Sequence, residues 1–408
     1  MSASASGSAE IGARARMIRK RRGLSLQVTA ELAGISKGYL SLLERGEKRF
    51  ERRSLLENLA TALGCSVVDL TGQPYLPMDR ASAEALATLP ALSVALYDAD
   101  LDDPLDAPAR DVHELAAWAA QANEHAANNR YGLAGAGLGT LLAELHVHAT
   151  SAQTDTRRRA LAALVETCIV ASGTARTLGN PDLAVHAARH GQDAARRLGD
   201  PALAGFAAMT SASALSRLGA RRGAHRVAST ALTAVDEHAG RDTTAAQAAG
   251  MLHLSCAQLA AKDGRPDETE NHLGAARQLA RRTGEGNALW FSFGPANVEA
   301  WTLSTAVELE RGPAVAERIE RTAGYDEALV TADRKSALHF DLARAYAQAD
   351  GERDGAALRH LDVADRIAPQ RIRHDPIAHE LVGELDARTR RRTWELDSLK
   401  SRLGVNTV

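Results

Sequence analysis

The sequence predicts an all-α protein built as two helical units, a compact one near the N-terminus and a long repetitive one after it. Three observations carry this. Only 4% of the 408 residues are aromatic and alanine recurs throughout, whereas strands draw on aromatic and β-branched side chains. Glycine followed closely by serine punctuates residues 10–70, as at Gly23-Leu24-Ser25 and Gly34-Ile35-Ser36. Further on, glycine breaks recur at intervals of 39–48 residues, which is the spacing of helix pairs. At roughly 100–200 residues per domain, the length accommodates two or three units with a sizeable core.

Charge divides the chain in the same way. Residues 1–80 carry 13 Lys/Arg against 8 Asp/Glu, while the whole chain has a net charge of −2. A basic end on an acidic body points to a local contact with a polyanion. The three cysteines, Cys65, Cys168 and Cys256, form no CxxC pair and read as reduced, packed thiols. The opening residues 1–9 lack the basic and apolar regions of a signal peptide and read as a disordered tail. No run approaches the 18 apolar residues of a membrane span. A cytoplasmic protein with no membrane contact is expected.

The first helix is expected over residues 10–22, with Ile11, Ala15 and Ile18 on one stripe and Gly23 as its stop. Ser25 caps a second over 26–33, ended by Gly34. Ser36 caps a third over 37–45, with Leu40 and Leu43 inward and Gly46 closing it. Serine before a helix and glycine after it are the start and stop chemistry of helices. Helices over 54–63 and 67–70 complete a five-helix unit at 10–72. The turn Ala33-Gly34-Ile35-Ser36 carries the helix-turn-helix signature.

The segment RKRRGLSLQVTAELAGISKGYLSLLERGEKRF resembles the XRE/Cro-type DNA-binding domain of phage repressors and bacterial regulators. The matching residues are Gly23-Leu24-Ser25, Ala30, Ala33-Gly34-Ile35-Ser36, Leu40-Ser41 and Glu44-Arg45-Gly46. Leu55, Leu59-Ala60 and Leu63-Gly64 continue the pattern. The resemblance implies a double-stranded DNA operator as partner. It places Ser36, Lys37, Gly38, Ser41 and Leu42 toward the major groove, and Arg45, Lys48 and Arg49 on phosphates. Lys37 would donate to guanine N7 or O6, and Leu42 would pack on a thymine methyl. The phosphate contacts would set register without reading sequence. Arg19 and Glu44 align with a structural ion pair of the family. Leu26 replaces a polar residue that touches DNA in many members, and Thr29 replaces a buried aliphatic one. Lys20, Arg21 and Arg22 read either as a solvated helix end or as further phosphate contacts.

Residues 73–108 read as a linker, with Pro74, Pro77, Pro90, Pro104 and Pro108 and an acidic run over 98–106. A short helix near 82–87 fits within it. From 109 to 408 the chain reads as a TPR-like helical repeat, broken at Gly179, Gly219, Gly264, Gly312 and Gly351. Its spacing exceeds the 34 residues of strict tetratricopeptide repeats. Stacked pairs of this kind curve around a concave groove, the usual binding surface.

A second resemblance covers most of the chain. Phe293-Gly294-Pro295-Ala296-Asn297-Val298, Trp301 and Val307-Glu308-Leu309 are similar to a segment of XRE regulators with TPR-like bodies in high-GC bacteria. So are the stretches 341–348 and 364–369. The architecture is also similar to that of RRNPP quorum-sensing receptors, whose bodies bind a signal peptide. This implies a homodimer that senses a peptide or small-molecule signal.

The candidate ligand residues are Trp118, Asn123, His253, Phe293, Asn297, Trp301, His339 and Tyr346. An asparagine beside aromatics would hold an amide or a polar ring. Packing between repeats is the alternative use of the same residues. Gly135, Gly137 and Gly139 lack the strand that precedes a phosphate loop. His186 and His190 have the spacing of metal ligands, but no zincin pattern surrounds them. No nucleophile elbow, carboxylate pair or P-loop lysine appears, so neither an enzyme nor a cofactor is expected. The competing reading is a scaffold, bound to DNA without any ligand, whose helical body binds a protein partner.

Overall fold

The structure is a computed structural model and describes residues 7–77, 79–98, 100–103, 108–151, 153–389 and 393–405. Every regular element among them is a helix. The expected tail falls outside the described residues up to position 6, and a helix already begins at Gly7.

The N-terminal unit comprises α1 (Gly7–Arg21), α2 (Leu26–Ala33), α3 (Lys37–Glu44), α4 (Arg53–Leu63) and α5 (Val67–Thr71). The caps are those the sequence announces. Ser25 accepts the Val28 N–H and Ser36 accepts the Tyr39 N–H, both at 3.1 Å. Gly34 holds φ 70°, a left-handed turn that glycine adopts without steric cost. Ile11, Leu40, Leu43, Phe50 and Leu59 fill the core. Thr29 is wholly buried, and its hydroxyl bonds back to the Ser25 carbonyl at 3.1 Å. Leu26 packs at the margin of the same core.

The stretch expected to be a linker is built into the body instead. It forms α6 (Arg80–Ala87) and α7 (Leu89–Asp98), and Leu89, Leu92 and Leu96 are buried in the larger core. Their helical spacing makes one apolar stripe, and Pro90 lies in the first turn, where a missing N–H costs nothing. Pro104 and most of the acidic run's end fall outside the described residues.

The body continues with α8 (Val112–Ala127), α9 (Tyr131–Gly135), α10 (Leu138–Ala149), α11 (Thr154–Thr177) and α12 (Pro181–Leu198). Next come α13 (Pro201–Leu218), α14 (Arg221–Ala239), α15 (Thr243–Lys262) and α16 (Pro266–Thr283). A 3₁₀ turn at Ala288–Trp290 precedes α17 (Pro295–Glu308), α18 (Gly312–Glu320), α19 (Ala332–Ala347) and α20 (Asp354–Ile367). The last helices are α21 (Pro369–Arg373), α22 (Pro376–Arg388) and α23 (Trp394–Leu403). Four of the five expected glycine breaks, Gly179, Gly219, Gly264 and Gly351, fall between helices, and Gly312 opens α18. Several starts pair a polar cap with proline in the first turn: Asn180-Pro181 and Asp200-Pro201 each cap the N–H three residues from the cap.

Consecutive helices pack in pairs: α11 with α12, α13 with α14, α15 with α16 and α19 with α20. The first members, α11, α13, α15, α17 and α19, also touch in succession and form an inner layer. Among the described residues no helix is long and apolar enough to cross a membrane.

The N-terminal unit is not tethered loosely. Its apolar core runs without a break into that of α17–α23. Polar contacts reinforce the junction. The Ser54 hydroxyl donates to Glu308 at 3.0 Å, and Arg53 pairs with Asp375. Glu57 receives Arg221 at 3.0 Å and also Lys262. The Phe50 N–H reaches Glu380 at 2.9 Å, and the Gln73 amide reaches the His374 carbonyl at 2.7 Å.

Candidate nucleic-acid interface and the cavity beside it

Helix α3 turns Leu40, Leu43 and Glu44 inward, which leaves Ser36, Lys37 and Gly38 exposed and Ser41 and Leu42 half-buried. The orientation is pinned by an ion pair. Arg19 Nε and Nη2 donate to the two Glu44 carboxylate oxygens at 2.6 and 2.7 Å, while Nη1 reaches the Leu24 carbonyl at 3.1 Å. The fork geometry fixes α3 on α1, the structural role expected for both residues.

The basic residues after α3 do not share one environment. Arg45 is exposed and bonds to Ser41 at 2.6 Å and to Glu47. Lys48 and Arg49 are half-buried and face the carboxylates of Glu51, Glu380 and Glu384. Burial pushes Glu380 up to about 8, against a downward pull from its hydrogen bond to Phe50 and from Arg49. Burial and Glu51 push Glu384 up to about 7, against Arg388, Lys48 and Arg49. Of the basic run that closes α1, Arg22, one residue past the helix, caps the end of α4 by donating to the Gly64 carbonyl at 2.6 Å.

The inner layer of the body surrounds a cavity of about 280 Å³. Ile169 and Arg176 of α11, Met209 and Arg217 of α13, Met251 and Gln258 of α15 and Trp301 of α17 contribute to its wall. Arg53 of α4 also lines it, so the N-terminal unit forms part of the enclosure.

The eight residues singled out as ligand candidates separate into three groups. Asn123 and Trp301 line the cavity. Phe293 and Asn297 lie buried behind its wall. Asn297 Nδ2 donates to the Phe291 carbonyl at 3.1 Å, and the Phe293 ring fills the space beside Gly250. The other four lie elsewhere. Trp118 packs over Gly137 with the Arg110 guanidinium 4.5 Å from its ring. His253 faces His272 of the outer helix α16, Nδ1 to Nδ1 at 2.9 Å. His339 likewise faces His360 of α20 at 3.0 Å, and Tyr346 stacks on His360 and donates to Glu320. A first helix has two faces, and these histidines point to the partner helix, not the groove. Missed by sequence reasoning were the cavity arginines, Arg53, Arg176, Arg217 and Arg371.

Residues 10–71 match the family model described as a helix-turn-helix domain, which spans α1–α5. The N-terminal unit is thus a helix-turn-helix domain, the class of module used for DNA-binding regulation. No curated protein matches the chain.

Proposed function

We propose that the protein is a cytoplasmic, sequence-specific DNA-binding transcriptional regulator whose TPR-like body senses a small-molecule signal. The observation that supports this best is α3. Lys37 and Gly38 stand free at its start, while the Arg19–Glu44 pair holds its other face against α1. Lys37, Ser36, Ser41 and Leu42 read base edges, and Arg45 holds phosphate. Two copies place their recognition helices in successive major grooves about 34 Å apart, on a near-palindromic operator. The helical body from residue 80 onward is the sensing and dimerising part. Its cavity favours a small molecule over a peptide, because its volume of about 280 Å³ falls just short of the small-ligand range of roughly 300–1,000 Å³.

Selection of bound sequences from a random duplex library with the full-length protein tests the reading. The expected product is a paired half-site with a spacing of about 10 base pairs. Binding that is insensitive to sequence, or no binding at low salt, would overturn it.

A further inference from the structure

The cavity wall carries two kinds of lining, charged and apolar. Arg53, Arg176, Arg217, Arg334 and Arg371 all line it. Asp333 and Asp375 are their carboxylate partners. Asp375 pairs with Arg53 and lies 3.9 Å from Arg217. Asp333 pairs with Arg371 and, at 3.1 Å, with Arg334. Arg176 is ion-paired with none of the described residues, and Arg53 Nη1 is buried without a hydrogen-bond partner. The remaining charges are taken from behind: Asp341 by Arg344 at 2.8 Å and Lys262 by Glu57. Five guanidiniums therefore share two carboxylates in a partly desolvated space.

Titration does not relieve this excess. Burial and the nearby Arg53 push Arg217 down to about 9, and burial with Arg371 pushes Arg176 down as well. Arginine nevertheless keeps its proton in proteins; burial is the first cause of both shifts, and the neighbouring guanidiniums add a positive field that lacks a full counter-charge. A bound anion supplies one.

The rest of the wall is largely apolar and strained, and it meets the cluster at Trp301, whose ring lies 5.8 Å from the Arg334 guanidinium. Trp301, Phe291, Met209 and Met251 face the space. The Trp301 Nε1–H and the Gln258 Oε1 are buried there with no hydrogen-bond partner. The segment that brings Phe291 into place holds Leu289, Trp290 and Ser292 at φ 48°, 63° and 52°, where L side chains are uncommon. Asn123 at 3.4 Å and Asn297 at 3.1 Å fasten its carbonyls. Strain of this sort persists where surroundings enforce it, characteristically at ligand clamps.

We propose that the cavity is a binding site for a small organic anion, a carboxylate or phosphate monoester carried on an aromatic or aliphatic body. Its charge sits against Arg176 and Arg217, and its apolar part lies on Trp301 and Phe291. Only the consequence rests on the regulator reading. Because Arg53 belongs to the helix-turn-helix unit, an anion at this cluster attracts Arg53 as well and favours the docked arrangement of that unit. Ligand affinity then differs between docked and undocked states, as a switch requires.

The test titrates the full-length protein with phenylacetate, phenyl phosphate and the neutral phenylacetamide at millimolar concentrations. Trp290 and Trp301 fluorescence and the unfolding midpoint are the readouts. A saturable change with phenylacetate names the carboxylate, one with phenyl phosphate names the phosphate ester, and phenylacetamide is expected to do neither. Arg176→Met should weaken anion binding about tenfold or more, the worth of one charge-assisted hydrogen bond. It should keep the helical circular dichroism, since Arg176 holds no ion pair; Arg217→Met serves as the second variant. Equal binding of the amide, no saturable anion binding, or wild-type binding in both variants overturns the site. DNA affinity, measured on the same samples, keeps the two readings apart. Intact DNA binding without anion binding removes the site alone, and intact anion binding without DNA binding removes the regulator alone.

Discussion

Ser54 donates both its backbone N–H and its hydroxyl to Glu308 Oε2, at 3.4 and 3.0 Å, across 254 residues of sequence. The other carboxylate oxygen accepts from Arg344 at 2.8 Å, and neither charged side chain is more than 4% exposed. One carboxylate thus holds the start of α4 and an arginine of α19. Burial pushes Glu308 up, but Arg344 and Lys262 outweigh it and hold it at about 2. A carboxylate with a lowered folded pKa stabilises above its unfolded value near 4.5, and that contribution fades as pH falls toward 2. Glu308→Gln leaves the buried Arg344 to Asp341 alone, at 2.8 Å, and strips the neighbouring Lys262 of a counter-charge; it should cost about 3 kcal/mol, read as a lower denaturant midpoint. A cost below ~1 kcal/mol would show that this pair does not hold the junction.

Lys37 stands exposed at the start of α3 and is ion-paired with none of the described residues. Lys37→Ala should weaken binding to the preferred operator by ~1–3 kcal/mol and relax preference at one base pair. Competition binding against single-base variants of the site measures both effects. Unchanged affinity would remove Lys37 from base readout.

Arg45 and Arg49 should behave differently although both belong to the same basic run. Arg45 is exposed, whereas Arg49 is half-buried beside Glu380 and Glu384. Arg45→Ala should lower the salt dependence of DNA binding by about one unit per subunit without altering the consensus. Arg49→Ala should change it less and lower the unfolding midpoint instead. A larger salt effect from Arg49 would mean that α3 and its flank leave the body when DNA binds.

Glu380 sets a pH dependence with a definite sign. It is 1% exposed, accepts the Phe50 N–H, and faces Arg49 and Glu384; burial raises it to about 8. The native state therefore keeps a proton that the unfolded chain loses near pH 4.5, and stability falls as pH rises from there to about 8. Glu380→Gln retains a neutral acceptor for Phe50. Its unfolding midpoint should match wild type near pH 5 and exceed it above pH 8. Parallel pH profiles for the two proteins would exclude Glu380 as the source.

Gly250 lies under the Phe293 ring, and a Cβ there would come within 2.0 Å of it. Gly250→Ala should cost about 1–3 kcal/mol by forcing the ring aside. The strained segment at residues 289–292 would shift with it, so tryptophan fluorescence should change in parallel. An unperturbed midpoint would show that α15 and α17 can separate freely.

How much of this was legible beforehand depends on distance along the chain. Helices α1–α5 are readable because their signals are local: Ser25, Gly34 and Ser36 act on residues three or four positions away. The Arg19–Glu44 pair is readable only through the family pattern. Docking is not readable at all, since nothing near Glu57 marks it as the partner of Arg221 and Lys262, more than 160 residues away. In residues 73–108 the prolines obscure a sound helical stripe at Leu89, Leu92 and Leu96. The choice of ligand residues favoured conspicuous types, aromatics and histidines, without knowing which helix face each would take. Arginines are common in this chain, and those of the cavity stand out only through the shortage of carboxylates around them, which is a property of three dimensions.

The junction between α4 and the last third of the body has a consequence for synthesis. A ribosome adding about 5–20 residues per second finishes the helix-turn-helix unit first and reaches its docking partners roughly 10–50 s later. Through that interval the nascent unit has its own core but an unclaimed Ser54, Glu57 and Arg53, and a basic flank with no acidic partner. Each new molecule thus passes through an open form before it can be closed, and a codon-level slowing between α5 and α17 would lengthen its time in that form.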